Sequence, residues 1–267
     1  MPLRAATSVA PCLLVYAPRE RARELARTAF PRRRCRVVVA RAQEEFALTL
    51  RSELVDGAIV DIGGSGEETW RVAALAREFP SAPFFGVAPL RAIDGPGLAR
   101  CASLEFADLL VEGVDDEAAR ALLAPRLFTA RFAAALDEPP PPLGLDAALQ
   151  RDAWRAIVAH AGRAVRTSTL ATMLGVTREH LSRAFAAAGA PNLKRVIDLV
   201  RLLAAAELAK NPGHDVRDIA KILGFASSSH LSSTAQRIVG TKPVSLSRLR
   251  TVDLVGRFVR GRGRSRG

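Results

Sequence analysis

The chain has 267 residues, 49% of them apolar, and a formal net charge of +12. This length predicts two domains with real cores. No apolar run is long enough to cross a bilayer, and no secretory signal opens the sequence, so the expected location is the cytoplasm. The charge is uneven: residues 1–145 carry 18 Arg and 19 Asp or Glu, while residues 146–267 carry 21 Lys or Arg and 8 Asp or Glu. A near-neutral half joined to a strongly basic half is expected of a nucleic-acid binder with a separate control domain.

In chain order, residues 1–10 read as a frayed start. Cys12–Tyr16, Arg36–Ala40, Gly57–Ile62, Pro83–Ala88 and Leu109–Val111 are short apolar runs with strand character. Between and after them, helices are predicted over Arg19–Phe30, Gln43–Leu54, Glu67–Phe79, Gly97–Glu105 and Asp116–Phe132. Apolar strands alternating with helices argue for a parallel sheet covered on both faces, a flavodoxin-like doubly wound α/β domain. The three cysteines, Cys12, Cys35 and Cys101, have no paired-ligand spacing and read as small buried side chains in a reducing compartment. The loop Gly63-Gly64-Ser65-Gly66 lacks both the G-x-G-x-x-G spacing and the lysine of a phosphate loop, so no nucleotide or other cofactor is expected.

The strand Asp56-Gly57-Ala58-Ile59-Val60-Asp61 and the order of elements resemble a response-regulator receiver domain. The resemblance puts Asp61 at the phospho-acceptor position, as a vestigial one. A receiver has an acidic pair after its first strand, where this chain has Tyr16-Ala17-Pro18. It has a hydroxyl residue after its fourth strand, where Ala88 stands, and a lysine after its fifth, where Glu112-Gly113 stands. A lone carboxylate holds Mg²⁺ poorly, and Glu112 would repel a phosphate. A receiver fold without phosphorylation or metal is therefore expected over residues 1–136, with Asp61 capping a loop or helix at the sheet edge.

Asp137–Leu145 is the expected linker, its four prolines predicting a semi-rigid polyproline II spacer. Leu145–Ala161 is an amphipathic helix with Trp154, Ile157 and Val158 inward. Two similar units follow. In the first, Thr169–Leu174 is a helix, Gly175 a turn, and Thr177 caps a helix over Arg178–Ala188 that Gly189 ends. In the second, Asp215 caps a helix whose apolar face is Val216, Ile219, Ala220 and Leu223. Gly224 ends that helix, and Ser227 caps the next, Ser228–Val239. Each unit has the shape of a helix-turn-helix. Asn192–Lys210 is the spacer helix, about 28 Å long at 1.5 Å per residue, which sets the units near the spacing of consecutive major grooves.

Asp218-Ile219-Ala220, Gly224-Phe225, Gly240-Thr241-Lys242-Pro243 and Arg250, with Leu170-Ala171, Leu181-Ser182-Arg183 and Phe185 upstream, resemble the AraC/XylS family of bacterial transcription regulators over roughly Ala147–Arg250. The resemblance implies a tandem helix-turn-helix DNA-binding domain, placed at residues 146–251, and base contacts at Glu179, Ser182 and Arg183. The family pattern has an aromatic at Leu231, an arginine at Ser233 and a phenylalanine at Ala235, so base reading by the second unit is expected to be weaker.

From the residues, Arg183 suits bidentate bonding to guanine and Glu179 accepts from cytosine. Thr177 and Arg178 suit phosphate. The alternative for Glu179 and Arg183 is an exposed helical ion pair. The second unit turns out Ser228, Ser229, Ser232 and Ser233, with His230 beside them. Short hydroxyls accept or donate to almost any base, so the first unit should carry most of the specificity. His180, His214 and His230 are not at zinc-ligand spacing, and no metal is expected.

After Arg250, Val252, Leu254, Val255, Phe258 and Val259 predict a last helix. Residues 260–267 form a basic glycine-rich tail, expected to be disordered and to bind phosphate without sequence preference. The expected function is a DNA-binding transcription regulator, not an enzyme. Its partner is double-stranded DNA, and its N-terminal domain takes an input, self-associates as a homodimer or contacts the transcription machinery. The alternative is a sequence-blind architectural DNA-binding protein.

Overall fold

A computed structural model describes residues 10–64, 66–89, 95–186 and 190–261. The frayed start, part of the Gly63–Gly66 loop, the stop at Gly189 and most of the basic tail fall outside the described residues. The chain divides into two compact units, Ala10–Arg131 with Asn211–His214, and Phe132–Lys210 with Asp215 onward.

The first unit holds strands β1 (Cys12–Tyr16), β2 (Arg36–Ala40), β3 (Gly57–Asp61), β4 (Phe84–Pro89) and β5 (Asp108–Glu112). They form one sheet in the order β2-β1-β3-β4-β5, every neighbouring pair parallel. This is the doubly wound, flavodoxin-like order. Its helices are α1 (Glu20–Ala29), α2 (Gln43–Ser52), α3 (Glu67–Ala74), α4 (Gly95–Ser103) and α5 (Ala119–Leu123), with α6 (Phe128–Ala135) running into the second unit.

Strand residues point alternately to the two faces. Leu14, Tyr16, Val60 and Phe84 join Phe46, Val72 and Phe79 in one core. Leu13, Val15, Ile59, Phe85 and Leu110 join Leu25, Ala26 and Leu123 in the other. Both faces being covered is why the strands read as unbroken apolar runs. All three cysteines are buried here. The long helix expected over Asp116–Phe132 is broken into α5, a 3₁₀ turn at Ala124–Arg126 and α6. Pro125 has no N–H to continue the α5 ladder, and Leu127 is extended.

The second unit contains α7 (Ala148–Val158), α8 (Thr167–Met173), α9 (Arg178–Ala186), α10 (Leu193–Leu208), α11 (Val216–Ile222), α12 (Ser228–Val239) and α13 (Thr251–Arg260). α10 is buried around nearly its whole circumference, from Leu193 and Val196 through Leu203 to Leu208. It is the post against which α7, α11, α12 and α13 pack. Its 16 residues give about 24 Å, shorter than expected from sequence. Trp154, Ile157 and Val158 are buried in α7, as expected, and the Trp154 indole donates to Leu136 O at 2.7 Å.

The proline-rich segment is not an extended rod throughout. Pro141–Leu143 forms a 3₁₀ turn, Gly144 is left-handed, and Leu143 and Leu145 are buried. Two leucines so close to the prolines gain more by entering a core than by remaining in a solvated spacer. The turn packs beside α13. That helix buries Leu254, Val255 and Phe258 and turns Arg257 and Arg260 outward.

Candidate nucleic-acid interface and sheet-edge site

The two helix-turn-helix units are built alike. α8 ends before Gly175 (φ +67°) and α11 before Gly224 (φ +66°), a left-handed turn that residues with a Cβ rarely adopt. Thr177 Oγ1 accepts from His180 N at 3.1 Å to start α9, and Ser227 Oγ accepts from His230 N at 3.1 Å to start α12. Asp215 caps α11, accepting from Arg217 N at 2.7 Å and Asp218 N at 2.8 Å. Asp215 N donates in turn to Asp218 Oδ2 at 3.1 Å, closing a capping box.

α9 buries Leu181 and Phe185 and leaves Arg178, Glu179, His180, Ser182 and Arg183 exposed, with Thr177 exposed ahead of them. Gln150 Nε2 donates to Ala184 O at 2.8 Å and ties the back of α9 to α7. Among the described residues, neither Glu179 nor Arg183 forms an ion pair, so the exposed helical pair is not what occupies them. Their polar ends are available on one face, in the first two turns of the second helix of the motif.

α12 is different. Ser229, His230 and Ser233 are exposed, while Ser228 and Ser232 are half-buried. Ser232 Oγ donates to Ser228 O at 2.9 Å and Ser233 Oγ to His230 O at 3.1 Å, so both protons serve the helix itself. The His230 ring stands edge-on to Phe225 at 5.6 Å, and its Nδ1 faces Ala226 N at 3.4 Å. Leu231 and Ala235 are fully buried. Two of the three departures from the family pattern therefore concern core packing and not base contact, and only Ser233 lies on the outer face.

A buried ionic link missed at the sequence level fixes the second helix-turn-helix to α10. Arg201 in α10, 9% exposed, stacks on the Phe225 ring at 3.7 Å and donates to Leu223 O at 3.1 Å. Burial lowers its pKa, and Asp198 opposes that shift. Asp198, 6% exposed, accepts from Arg237 of α12 at 3.0 Å. The only sequence signal was a pair of opposite charges three residues apart, Asp198 and Arg201, in the otherwise apolar stretch from Val196 to Ala206.

At the carboxyl ends of the strands, Asp61 is fully buried. Arg19, just after β1, grips it: Nε lies 2.9 and 3.0 Å from its two oxygens, Nη2 bonds it as well, and Arg19 N donates to Oδ2 at 3.1 Å. The same guanidinium reaches Glu112 at the end of β5, at 2.9 Å from Nη1 and 2.5 Å from Nη2. Burial alone would lower the Arg19 pKa, but the bonds to Asp61 and Glu112 outweigh it and raise it. Gly63 makes room, since a Cβ there would lie 2.6 Å from Arg19 Nη2.

Asp61 thus does take a backbone N–H at the start of α1, but its main partner is a cation that the sequence reading assigned to the helix. The strand ends thus carry a cation after β1 and a carboxylate at the end of β5, the reverse of what the receiver resemblance implies. That reversal was visible in the sequence as two separate departures. Among the described residues no group of three or more His, Cys, Asp or Glu side chains gathers as a metal site.

Residues 170–248 match the model of a helix-turn-helix domain. That segment is a helix-turn-helix domain of AraC type, a DNA-binding domain of transcription regulation. A response regulator from Thermotoga maritima is similar at 18% identity over 44% of this chain and 98% of its own, with a TM-score of 0.39. Full-length FixJ from B. japonicum is similar at 10% identity over 90% of this chain and 98% of its own, with a TM-score of 0.38. No curated protein matches in sequence. No helix among the described residues is long and apolar enough to cross a membrane.

Proposed function

We propose that this chain is a sequence-specific transcription regulator whose first helix-turn-helix reads bases and whose α/β domain takes an input or self-associates without being phosphorylated. The observation that carries the reading is the unpaired polar face of α9, where Glu179, Ser182 and Arg183 project beside the phosphate-side residues Thr177 and Arg178. On α12, Ser228, Ser229, His230, Ser232 and Ser233 add contacts of low selectivity. The working boundaries are 1–136, 137–145, 146–251 and 252–267, and a cytoplasmic, non-enzymatic role goes with them.

The test is selection of bound sites from random duplex DNA, followed by competition with unrelated DNA. The reading predicts an enriched motif that unrelated DNA displaces poorly. Equal displacement by any duplex would replace it with the architectural alternative, which the internally bonded serines of α12 favour.

Asp61 is offered no phosphoryl chemistry in this reading, because Arg19 holds both of its oxygens. Incubation with a small phosphodonor and Mg²⁺, followed by intact mass, should leave the chain unmodified. A phosphate adduct on Asp61 would overturn that part of the proposal.

A further inference from the structure

Beside the Arg19 cluster, at the carboxyl ends of β1 and β2, the first unit contains an open cavity of about 650 Å³. Its apolar wall is Ala17, Pro18, Val39 and Ala40, and the buried Tyr16 also lines it. In open parallel sheets the crevice outside the strand carboxyl ends is where ligands sit. The switch point between β1 and β3 is already filled by Arg19 and Asp61. Among the described residues nothing fills the adjoining space over β1 and β2, and its size is that of a small-molecule site.

The rim is ionic and unequal. Arg23, Arg27 and Arg41 face Glu20 and Glu68. Glu20 is occupied by Arg23 at 2.8 Å and Arg27 at 3.1 Å. Glu68 accepts from Gln43 N at 3.3 Å. Burial first, and Glu68 second, raise the Tyr16 pKa, so its hydroxyl remains a donor at neutral pH. Arg41 lines the cavity with an exposed side chain and no ion-pair partner among the described residues. One cation is therefore in excess over an apolar wall.

We infer that this cavity binds a small organic monoanion, a carboxylate on an apolar or aromatic body, with the carboxylate at Arg41 and Arg27 and the body against Val39, Ala40 and Pro18. A bare phosphate leaves the apolar wall unused, and its second charge meets Glu20 and Glu68. Binding here is independent of DNA reading, and only its role as the input rests on the proposed function.

The experiment is calorimetric titration of the full chain with hexanoate and phenylacetate, against inorganic phosphate at equal ionic strength. At least one organic anion should bind at a single saturable site, with phosphate far weaker. Arg27→Gln/Arg41→Gln should weaken that binding at least about tenfold, the scale of losing a hydrogen bond to a charged group. Circular dichroism should confirm that the variant is folded, and Arg41→Gln alone, at an exposed side chain, is the fallback. Absence of saturable binding by both organic anions, equal binding of phosphate, or unchanged affinity in a folded variant would each overturn the inference. Since no DNA is present, failure here leaves the DNA-binding proposal standing.

Discussion

Arg19 does at the sheet edge what a metal and a lysine do in a receiver: it neutralises carboxylates gathered at the ends of parallel strands. Asp61 is fully buried, and a buried carboxylate stripped of its partner is costly. Arg19→Ala should destabilise the first unit by about 3 kcal/mol, the lower end of the range for broken buried pairs because the arginine is partly exposed. Arg19→Lys should fall between, since a single ammonium cannot reproduce a guanidinium fork on two carboxylates. Urea unfolding followed by a probe in the first unit checks both. A stability equal to wild type in Arg19→Ala would mean that Asp61 has another counter-charge.

At the scale of elements, α9 and α12 share a plan and differ in what they offer. Arg183→Ala should cost about 1–3 kcal/mol on the selected site and relax specificity there. Ser229→Ala on α12 should cost less than about 1 kcal/mol, because a lone hydroxyl discriminates poorly. Quantitative shift assays on the same duplex compare them, and a larger loss from Ser229→Ala would reverse the assignment of the reading unit. α10 bears on this through Arg201, which joins the post to the turn before α12 by ring stacking and by its bond to Leu223 O. Arg201→Met should cost about 2 kcal/mol. The loss should appear as faster amide exchange in α11 and α12 with α8 and α9 unchanged. Uniform acceleration across both units would show that Arg201 supports the post as a whole.

For the molecule as a whole, the excess positive charge sits in the half that carries the helix-turn-helix domain. Binding should therefore weaken steeply with salt, log K falling by about 0.9 per phosphate contacted for each unit of log salt. Deleting residues 262–267 removes Arg262, Arg264 and Arg266. If the tail lies on phosphate, the slope should become shallower by up to about 3, with the preference for the selected site unchanged. A slope that does not move would take the tail out of the interface.

Local chemistry carried much of this protein. Strand runs, helix caps at Asp215, Thr177 and Ser227, and glycine turns at 175 and 224 depend on residues within a few positions of each other, so their pattern alone marked out the alternating strands and helices and the paired helix-turn-helix units. The departures of Tyr16, Ala88 and Glu112 from the receiver resemblance were legible in the same way, one position at a time. The sequence did not disclose the contacts that close over long separations. Arg19 meets Asp61 and Glu112 across 42 and 93 positions, and Arg201 reaches Leu223 across 22. The tertiary structure alone decided that a charge lost at one strand end is restored from another, that two prolines tighten into a turn beside α13, and that Leu231 and Ala235 face inward. In each case the deciding energy belongs to groups that only the completed fold brings within reach.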